Sequence, residues 1–97
     1  MMAELNEIFC VNIRGLASPT KLLQLLDKIE KLRKSKTFCI LLQETKIWKL
    51  TVQHEKILKI NKLKYEFVPA IMNSGGLLTI VPQNCESTKS LEKQTHV

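Results

Sequence analysis

The sequence predicts an α/β fold, in the form of a partial (half) α/β sandwich in which a β-α-β unit is followed by a β-hairpin. Two short apolar runs, residues 8–11 and 38–42, flank a segment in which leucines recur at helical spacing. Two further strand-like segments lie on either side of the pair Gly75-Gly76. A strand, a helix and a second strand in this order form a crossover that is right-handed in nearly all proteins.

The first strand is predicted over residues 7–12 and the first helix over about residues 19–35. Ser18 can cap this helix, and Pro19 suits its first position because an N–H there would have no helical partner. One face of the helix is apolar, with Leu22, Leu23, Leu25, Leu26, Ile29 and Leu32 at helical spacing. Basic side chains are expected in its last turn, where they suit the negative end of the helix dipole: Arg33, Lys34 and Lys36.

Residues 37–43 are almost continuously apolar, which is typical of a strand that is buried on both faces. Residues 45–64 leave two alternatives open, a short helix or extended chain. Strands are then predicted over residues 65–70 and 77–82, joined as an antiparallel hairpin. The polar residues 83–97 show no periodicity and are expected to fray.

The chain has 97 residues, enough for one domain near the lower limit for a self-sufficient core. Its formal charge of +6 favours an acidic partner such as nucleic acid or an anionic membrane, although lysines that only solvate helix faces would give the same total. Six lysines could follow a phosphate backbone: Lys46, Lys49, Lys56, Lys59, Lys62 and Lys64. One Trp, one Tyr and three Phe are too few to predict a base-stacking platform.

The three cysteines, Cys10, Cys39 and Cys85, show no Cys-x-x-Cys spacing. They predict reduced thiols in an intracellular protein, with the two in strand-like runs buried. No apolar run approaches the ~20 residues of a membrane span, and no membrane partner is predicted. The acidic first residues lack the apolar core of a secretory signal.

Asn12 and Glu44 follow the first two predicted strands. If these strands are parallel neighbours, about 4.8 Å apart, both side chains emerge at one edge of the sheet, where α/β proteins bind ligands. A carboxylate beside an apolar strand needs water, a cation or a basic group to compensate it. Glu44 is therefore a candidate ligand for Mg²⁺, which takes one or two carboxylates with water and phosphate oxygens. The alternatives are a salt bridge to Lys46 and a helix-capping role.

Histidine motifs in this chain are incomplete. His54-Glu55 lacks the second histidine of a zinc-protease helix, because Leu58 stands four residues on. Neither His54 nor His96 has a recognisable nucleophile partner. No Gly-rich loop that would cradle a phosphate precedes a helix.

Three segments form a recognisable combination. They are Asn12-Ile13-Arg14-Gly15-Leu16 with Ser18-Pro19 and Lys21 after it, Gln43-Glu44-Thr45-Lys46 after an apolar strand, and Ser74-Gly75-Gly76-Leu77. Their order and spacing resemble the start of the exonuclease–endonuclease–phosphatase superfamily, and most closely the endonuclease domain of LINE-type retrotransposons. The similarity spans about residues 8–82, which is most of the chain.

The resemblance implies that residues 1–82 are the N-terminal half of an α/β sandwich domain whose active site lies at one edge between two sheets. Glu44 would bind a Mg²⁺ or Mn²⁺ ion that polarises the scissile phosphate, and Asn12 would belong to the hydrogen-bond network around that phosphate. Arg14 and Lys46 would contact the nucleic acid. Members of the family hydrolyse phosphodiesters, and the retrotransposon enzymes nick DNA, which implies a nuclear location.

The sequence also departs from the family pattern. Repair-type relatives often have an acidic or amide residue where Arg14 stands, and the Trp often found before the Asn is Val11 here. The family's Asp-x-Asn and Asp-His pairs are missing, and the only Asp is Asp27. Without a general base the chain is expected to be inactive alone.

A half sandwich would also leave one sheet face open. We therefore expect marginal stability, with self-association or a missing C-terminal half as the partner. Two other interpretations stay open: a small basic nucleic-acid-binding module without catalysis, and a decayed gene fragment without a function.

Overall fold

The computed structural model describes residues 7–72 and 74–83. The elements in chain order are β1 (Glu7–Asn12), α1 (Pro19–Leu32), β2 (Phe38–Gln43), α2 (Val52–Ile60), β3 (Leu63–Val68) and β4 (Leu77–Pro82). The predicted α/β class, with a β-α-β unit followed by a hairpin, is confirmed. The fraying expected of the polar tail concerns residues that, apart from Gln83, lie outside the described ones.

The strands form one sheet in the order β1-β2-β4-β3. β1 and β2 are parallel and pair from Glu7↔Phe38 to Asn12↔Gln43. β4 runs antiparallel to both of its neighbours, β2 and β3. The second strand of the hairpin, and not the first, therefore lies against the β-α-β unit, which leaves β1 and β3 as the two edge strands.

Both helices pack on one face of the sheet. Because side chains alternate along a strand, every second residue of each strand points to that face. The buried cluster joins helix side chains (Leu22, Leu26, Ile29, Leu58) to strand side chains (Phe38, Ile40, Leu42, Leu63, Leu78, Ile80). Phe9 and Val11 of the edge strand β1 pack against this cluster and are half-buried. Burial of these aliphatic side chains is the main contribution to stability.

The opposite face of the sheet has no described helix on it. Its apolar side chains are exposed mainly at the margin: Ile8 and Val68 on the edge strands are each 54% exposed, and Leu77 is 43% exposed. Nearer the middle, Cys39 and Val81 are buried. The expected open apolar face is thus present at the rim of the sheet and absent from its centre.

Helix α1 ends earlier than predicted, at Leu32, because Arg33 is already extended at φ −73° and ψ 147°. The carboxylate of Glu7 accepts hydrogen bonds from the amides of Lys34 (2.6 Å) and Ser35 (2.7 Å), which turns the chain toward β2. The prediction that Arg33, Lys34 and Lys36 lie in the last turn of the helix is therefore wrong. The basic residue of that turn is Lys31. The Arg33 guanidinium instead lies 4.7 Å from the centre of the Phe38 ring.

Two further sequence predictions need correction. Ser18 occupies the N-cap position of α1, as expected, but its side chain forms no capping hydrogen bond. Cys10 is exposed and not buried, because on an edge strand it points to the face without helices. Cys39 is buried as predicted, and Cys85 lies outside the described residues.

The segment whose sequence left helix and extended chain open contains α2. Within the described part of the chain, neither helix is long and apolar enough to cross a membrane.

Candidate functional site

One end of the sheet gathers the ends of all four strands. The strand register places Asn12 beside Gln43, Gln43 beside Leu77, and Leu77 beside Val68. These four side chains form one row on the face without helices. The predicted juxtaposition of Asn12 and Glu44 at one sheet edge, which rested on parallel pairing of β1 and β2, is confirmed.

A groove of about 530 Å³ lies along this row. Its polar side chains are Asn12, Gln43, Glu44 and Ser74, and Gly75 and Gly76 line it with the apolar Val68, Ile71 and Leu77. Asn12 and Gln43 are exposed, whereas Glu44 is half-buried. Three oxygen-bearing side chains at the ends of two adjacent strands thus share a small open cavity with Ser74 and a glycine pair.

Backbone hydrogen bonds extend beyond the strands and fix the loops around the groove. The amides of Gly15 and Leu16 donate to the carbonyls of Glu44 and Thr45, each at 2.8 Å. On the other side, the Lys46 amide donates to the Gly75 carbonyl at 2.9 Å. The loop after β2 is therefore bound to the loop after β1 and to the loop before β4, so that the position of Glu44 is set from both sides.

The backbone around the groove is left-handed at several residues other than glycine, including Met72 in the loop before β4. Arg14, Glu44 and Lys46 have φ values of 53°, 60° and 58°. Such conformations are unfavourable for side chains with a Cβ and concentrate at functional sites. All three are residues that the sequence resemblance assigned to the site, and nothing in the sequence itself predicted their conformation.

Both glycines have left-handed φ values, 77° for Gly75 and 94° for Gly76, and the surroundings require glycine at Gly76 as well. A Cβ added to Gly76 would collide with the hydroxyl of Thr45, whereas one added to Gly75 would meet no atom within 4 Å. The Thr45 hydroxyl is fully buried and forms no hydrogen bond with any described residue. Gly76 therefore allows the loop before β4 to lie directly against Thr45.

The loop after β1 is held by two side chains, Lys21 and His54, to which the sequence analysis assigned no role at this site. The Lys21 ammonium donates to the Ile13 carbonyl at 2.7 Å. His54 is fully buried, and its Nε2 donates to the Leu16 carbonyl at 2.7 Å. Its Nδ1 then accepts from the hydroxyl of Thr51, the N-cap of α2, also at 2.7 Å. The spacing Thr51-x-x-His54, a capping-box position, was the only sequence signal for this role.

Arg14 and Lys46 are exposed beside the groove without lining it. Arg14 lies two residues after Asn12, and Lys46 lies two residues after Glu44. Their predicted contact with nucleic acid stays a prediction, as do the metal role of Glu44 and the phosphate role of Asn12.

The groove residues fit a hard divalent cation only in part. Glu44 offers the one carboxylate of the groove, and the amide oxygens of Asn12 and Gln43 are further hard donors. No group of three or more His, Cys, Asp or Glu side chains suited to a metal occurs among the described residues. An ion held here would depend on water and phosphate oxygens for most of its ligands, as Mg²⁺ commonly does.

Glu44 and Lys46 do not form the ion pair that was the alternative to a metal role. In residues 7–72 and 74–83 the ion pairs are Lys31–Asp27 and Arg33–Glu30, both within α1. A carboxylate that is half-buried without a basic partner remains available to a cation or a hydrogen-bond donor.

A larger groove, of about 1040 Å³, lies at the other end of the sheet beside α1. Its carboxylates, Asp27 and Glu30, are those already paired with Lys31 and Arg33. It therefore presents no unpaired acid, and the groove beside Asn12 and Glu44 is the better candidate site.

Comparison with known proteins identifies no relative: no family model, no curated protein and no solved structure matches this chain.

Proposed function

We propose that this chain is the N-terminal, phosphate- and metal-binding part of a Mg²⁺-dependent phosphodiesterase, a DNA endonuclease of the retrotransposon type. The observation that supports this most directly is the groove shared by Asn12, Glu44 and the pair Gly75-Gly76. The residues that the motif resemblance selected lie far apart in sequence, and they converge on one sheet end, where Glu44 has no ion-pair partner among the described residues. A purely structural role for the three segments would not require this convergence.

In this proposal each groove residue has a separate task. Glu44 would hold the divalent ion, which when bound supplies positive charge that stabilises a phosphate oxygen. The Asn12 amide would donate a hydrogen bond to a phosphate oxygen. Arg14 and Lys46, exposed on either side, would neutralise the charge of neighbouring phosphates and so fix the position of the strand.

The proposal also includes a partner. The described residues near the groove provide no histidine or second carboxylate to activate water. We therefore propose that a second half, supplied by a longer parent or by another chain, completes the site, and that this chain alone does not cleave DNA. A nuclear, intracellular location would follow from a DNA substrate.

Metal binding tests the proposal without requiring activity. We expect Mn²⁺ to broaden the amide resonances of the full chain selectively at residues 12, 43–45 and 75–76. Glu44→Gln should weaken this effect about tenfold or more, because it removes the only carboxylate among the described residues of the groove. The measurement is a Mn²⁺ titration followed by NMR, with Mg²⁺ as a competitor.

The matched control is Glu66→Gln, which removes an exposed carboxylate from the neighbouring edge strand β3. It should leave the broadening unchanged. Broadening centred elsewhere, or unaffected by Glu44→Gln, would contradict the metal role. Glu44-dependent nicking of plasmid DNA by the purified chain would contradict its inactivity.

A further inference from the structure

Trp48, the only tryptophan of the chain, is 74% exposed. Its exposure is imposed by the anchored segment around it. Ile47 packs against the core, and its carbonyl accepts a hydrogen bond from the Ala70 amide at 2.8 Å. Leu50 is only 8% exposed and belongs to the buried cluster. Trp48 and Lys49 are thus held outward between two residues that are fixed to the core.

The turn that presents Trp48 begins at the candidate site. Two residues earlier, the Lys46 amide is bonded to the Gly75 carbonyl, which lies in the wall of the groove. Directly after the turn, α2 starts at the end of the sheet that holds the groove, since His54 in its first turn bonds Leu16. Trp48 therefore lies at the same end of the molecule as Glu44.

The charged side chains next to Trp48 along the chain are basic, and the nearest acidic residues in sequence are Glu44 and Glu55. Lys46 and Lys49, both exposed, flank Trp48, and residues 45–53 contain no acidic residue. Exposed Arg14 lies at the same sheet end. An aromatic ring offers a stacking surface to any nucleobase, and cations beside it suit the phosphates on either side of that base. An aromatic side chain with this charge pattern fits a nucleic acid better than it fits an apolar protein surface.

We propose that Trp48 stacks on an unpaired nucleobase while Lys46 and Lys49 contact the adjoining phosphates. The bound form would be a single strand, or a duplex that is locally opened, because a base within a stacked duplex does not expose its face. An unpaired strand would also be the substrate class of the neighbouring groove, and this part of the inference rests on the proposed function. The binding itself needs neither a metal ion nor Glu44.

Because the chain has one tryptophan, its fluorescence reports on this contact alone. The full chain is titrated in EDTA with a single-stranded oligonucleotide, with the same sequence as a blunt duplex, and with that duplex carrying an unpaired loop. We expect quenching and tighter binding with the single strand and the looped duplex. Fluorescence anisotropy of labelled oligonucleotides gives the affinities of the variants.

Trp48→Ala should weaken single-strand binding by about 5- to 100-fold, the range that loss of one base–aromatic stack produces. Trp48→Phe should retain most of the affinity, since a smaller ring can still stack. Lys49→Gln should lower the slope of log affinity against log salt by about 0.7, the value for one phosphate contact on a single strand. The matched control is Ile60→Ala, which alters a residue that is 77% exposed at the opposite end of α2, and it should have no effect.

Three results would overturn the proposal: no binding at low salt, equal affinity of Trp48→Ala and the wild type, or equal binding of the polyanion heparin with no fluorescence quenching. The last would indicate charge attraction alone. If Trp48→Ala instead abolished self-association measured by sedimentation and left oligonucleotide binding intact, the residue would be a protein contact. The oligonucleotide titration is done in EDTA and the Mn²⁺ titration without oligonucleotide, so failure of the metal site and failure of the stacking contact are separate outcomes.

Discussion

Glu44 occupies a conformation that is costly for its residue type. A left-handed φ costs a residue with a Cβ about 1–2 kcal/mol, and Arg14 and Lys46 beside it share this conformation. The loop hydrogen bonds, such as that from the Gly15 amide to the Glu44 carbonyl, offset the cost. Strain of this kind persists where the side chain has to point in a direction that a relaxed backbone would not give it.

The close contact between Gly76 and Thr45 can be tested by substitution. Gly76→Ala should destabilise the chain by about 2–4 kcal/mol, because it adds a collision with buried Thr45 to the cost of a left-handed Ala. Gly75→Ala, which meets no neighbour, should cost about 1 kcal/mol from the backbone alone. Urea unfolding followed by circular dichroism measures both values. Equal losses for the two variants would show that the loop moves away from Thr45 at little cost.

At the scale of elements, helix α2 holds the loop after β1 in place. His54 joins them, because one ring nitrogen binds Leu16 of the loop and the other binds Thr51 at the start of the helix. The loop that follows Asn12 is thereby fixed to a helix that starts more than thirty residues later. The helix supports the site although none of its residues lines the groove.

His54→Ala should destabilise the chain by about 2–4 kcal/mol, since it removes a fully buried ring and leaves the Leu16 carbonyl without its partner. Hydrogen exchange should also accelerate at the amides of Gly15 and Leu16. The comparison variant is Thr51→Ala, which loses the cap and the hydroxyl bond to the His54 ring but keeps the bond to Leu16, and it should cost about 1 kcal/mol. If both variants lose the same stability, the bond to Leu16 contributes nothing measurable.

The described part of the molecule is a one-sided sheet with two helices, and the chain carries an excess of positive charge. Its exposed apolar side chains are concentrated where the proposed partner and nucleic acid would lie, at the sheet end and the margins of the open face. These include Val68, Ile71, Met72 and Trp48. Clusters of this kind on a small protein are typical of interaction surfaces.

The stability of the whole molecule should fall at alkaline pH through its single tyrosine. The pKa of Tyr65 is raised from its usual 10.0 by burial, by its hydrogen bond to Glu55 and by the charge of that carboxylate. The folded state therefore favours the neutral phenol, whose 2.9 Å bond to Glu55 links β3 to α2. This contribution is complete below pH 10 and is lost as the pH rises through the folded-state pKa.

The ultraviolet absorbance of tyrosinate in the native chain measures the shift directly. Glu55→Gln should move the pKa of Tyr65 back toward 10.0. The difference in unfolding free energy between the wild type and Tyr65→Phe should shrink above pH 10, because lysine titration is common to both and cancels. A Tyr65 pKa unchanged by Glu55→Gln would assign the shift to burial alone.

The sequence by itself determined most of the local elements, and it singled out Asn12, Glu44 and Gly75-Gly76 among the residues that line the groove. Apolar runs fixed β1, β2 and β4, because a buried strand leaves a continuous or alternating apolar pattern. The end of α1 could not be read from the sequence, because the carboxylate of Glu7, on another strand, binds the amides that follow the helix. The same is true of Cys10, whose exposure depends on β1 being an edge strand.

Only the tertiary structure decided how the segments meet. The insertion of β4 between β2 and β3 brings Gly75-Gly76 to Glu44, and it follows from long-range pairing that local patterns do not encode. The buried hydrogen bonds of His54 and the outward position of Trp48 likewise depend on contacts between distant residues. The sequence thus determined which side chains the chain carries, and packing determined which of them lie together. The reason is that burial and strand pairing depend on residues that are close in space and distant in sequence.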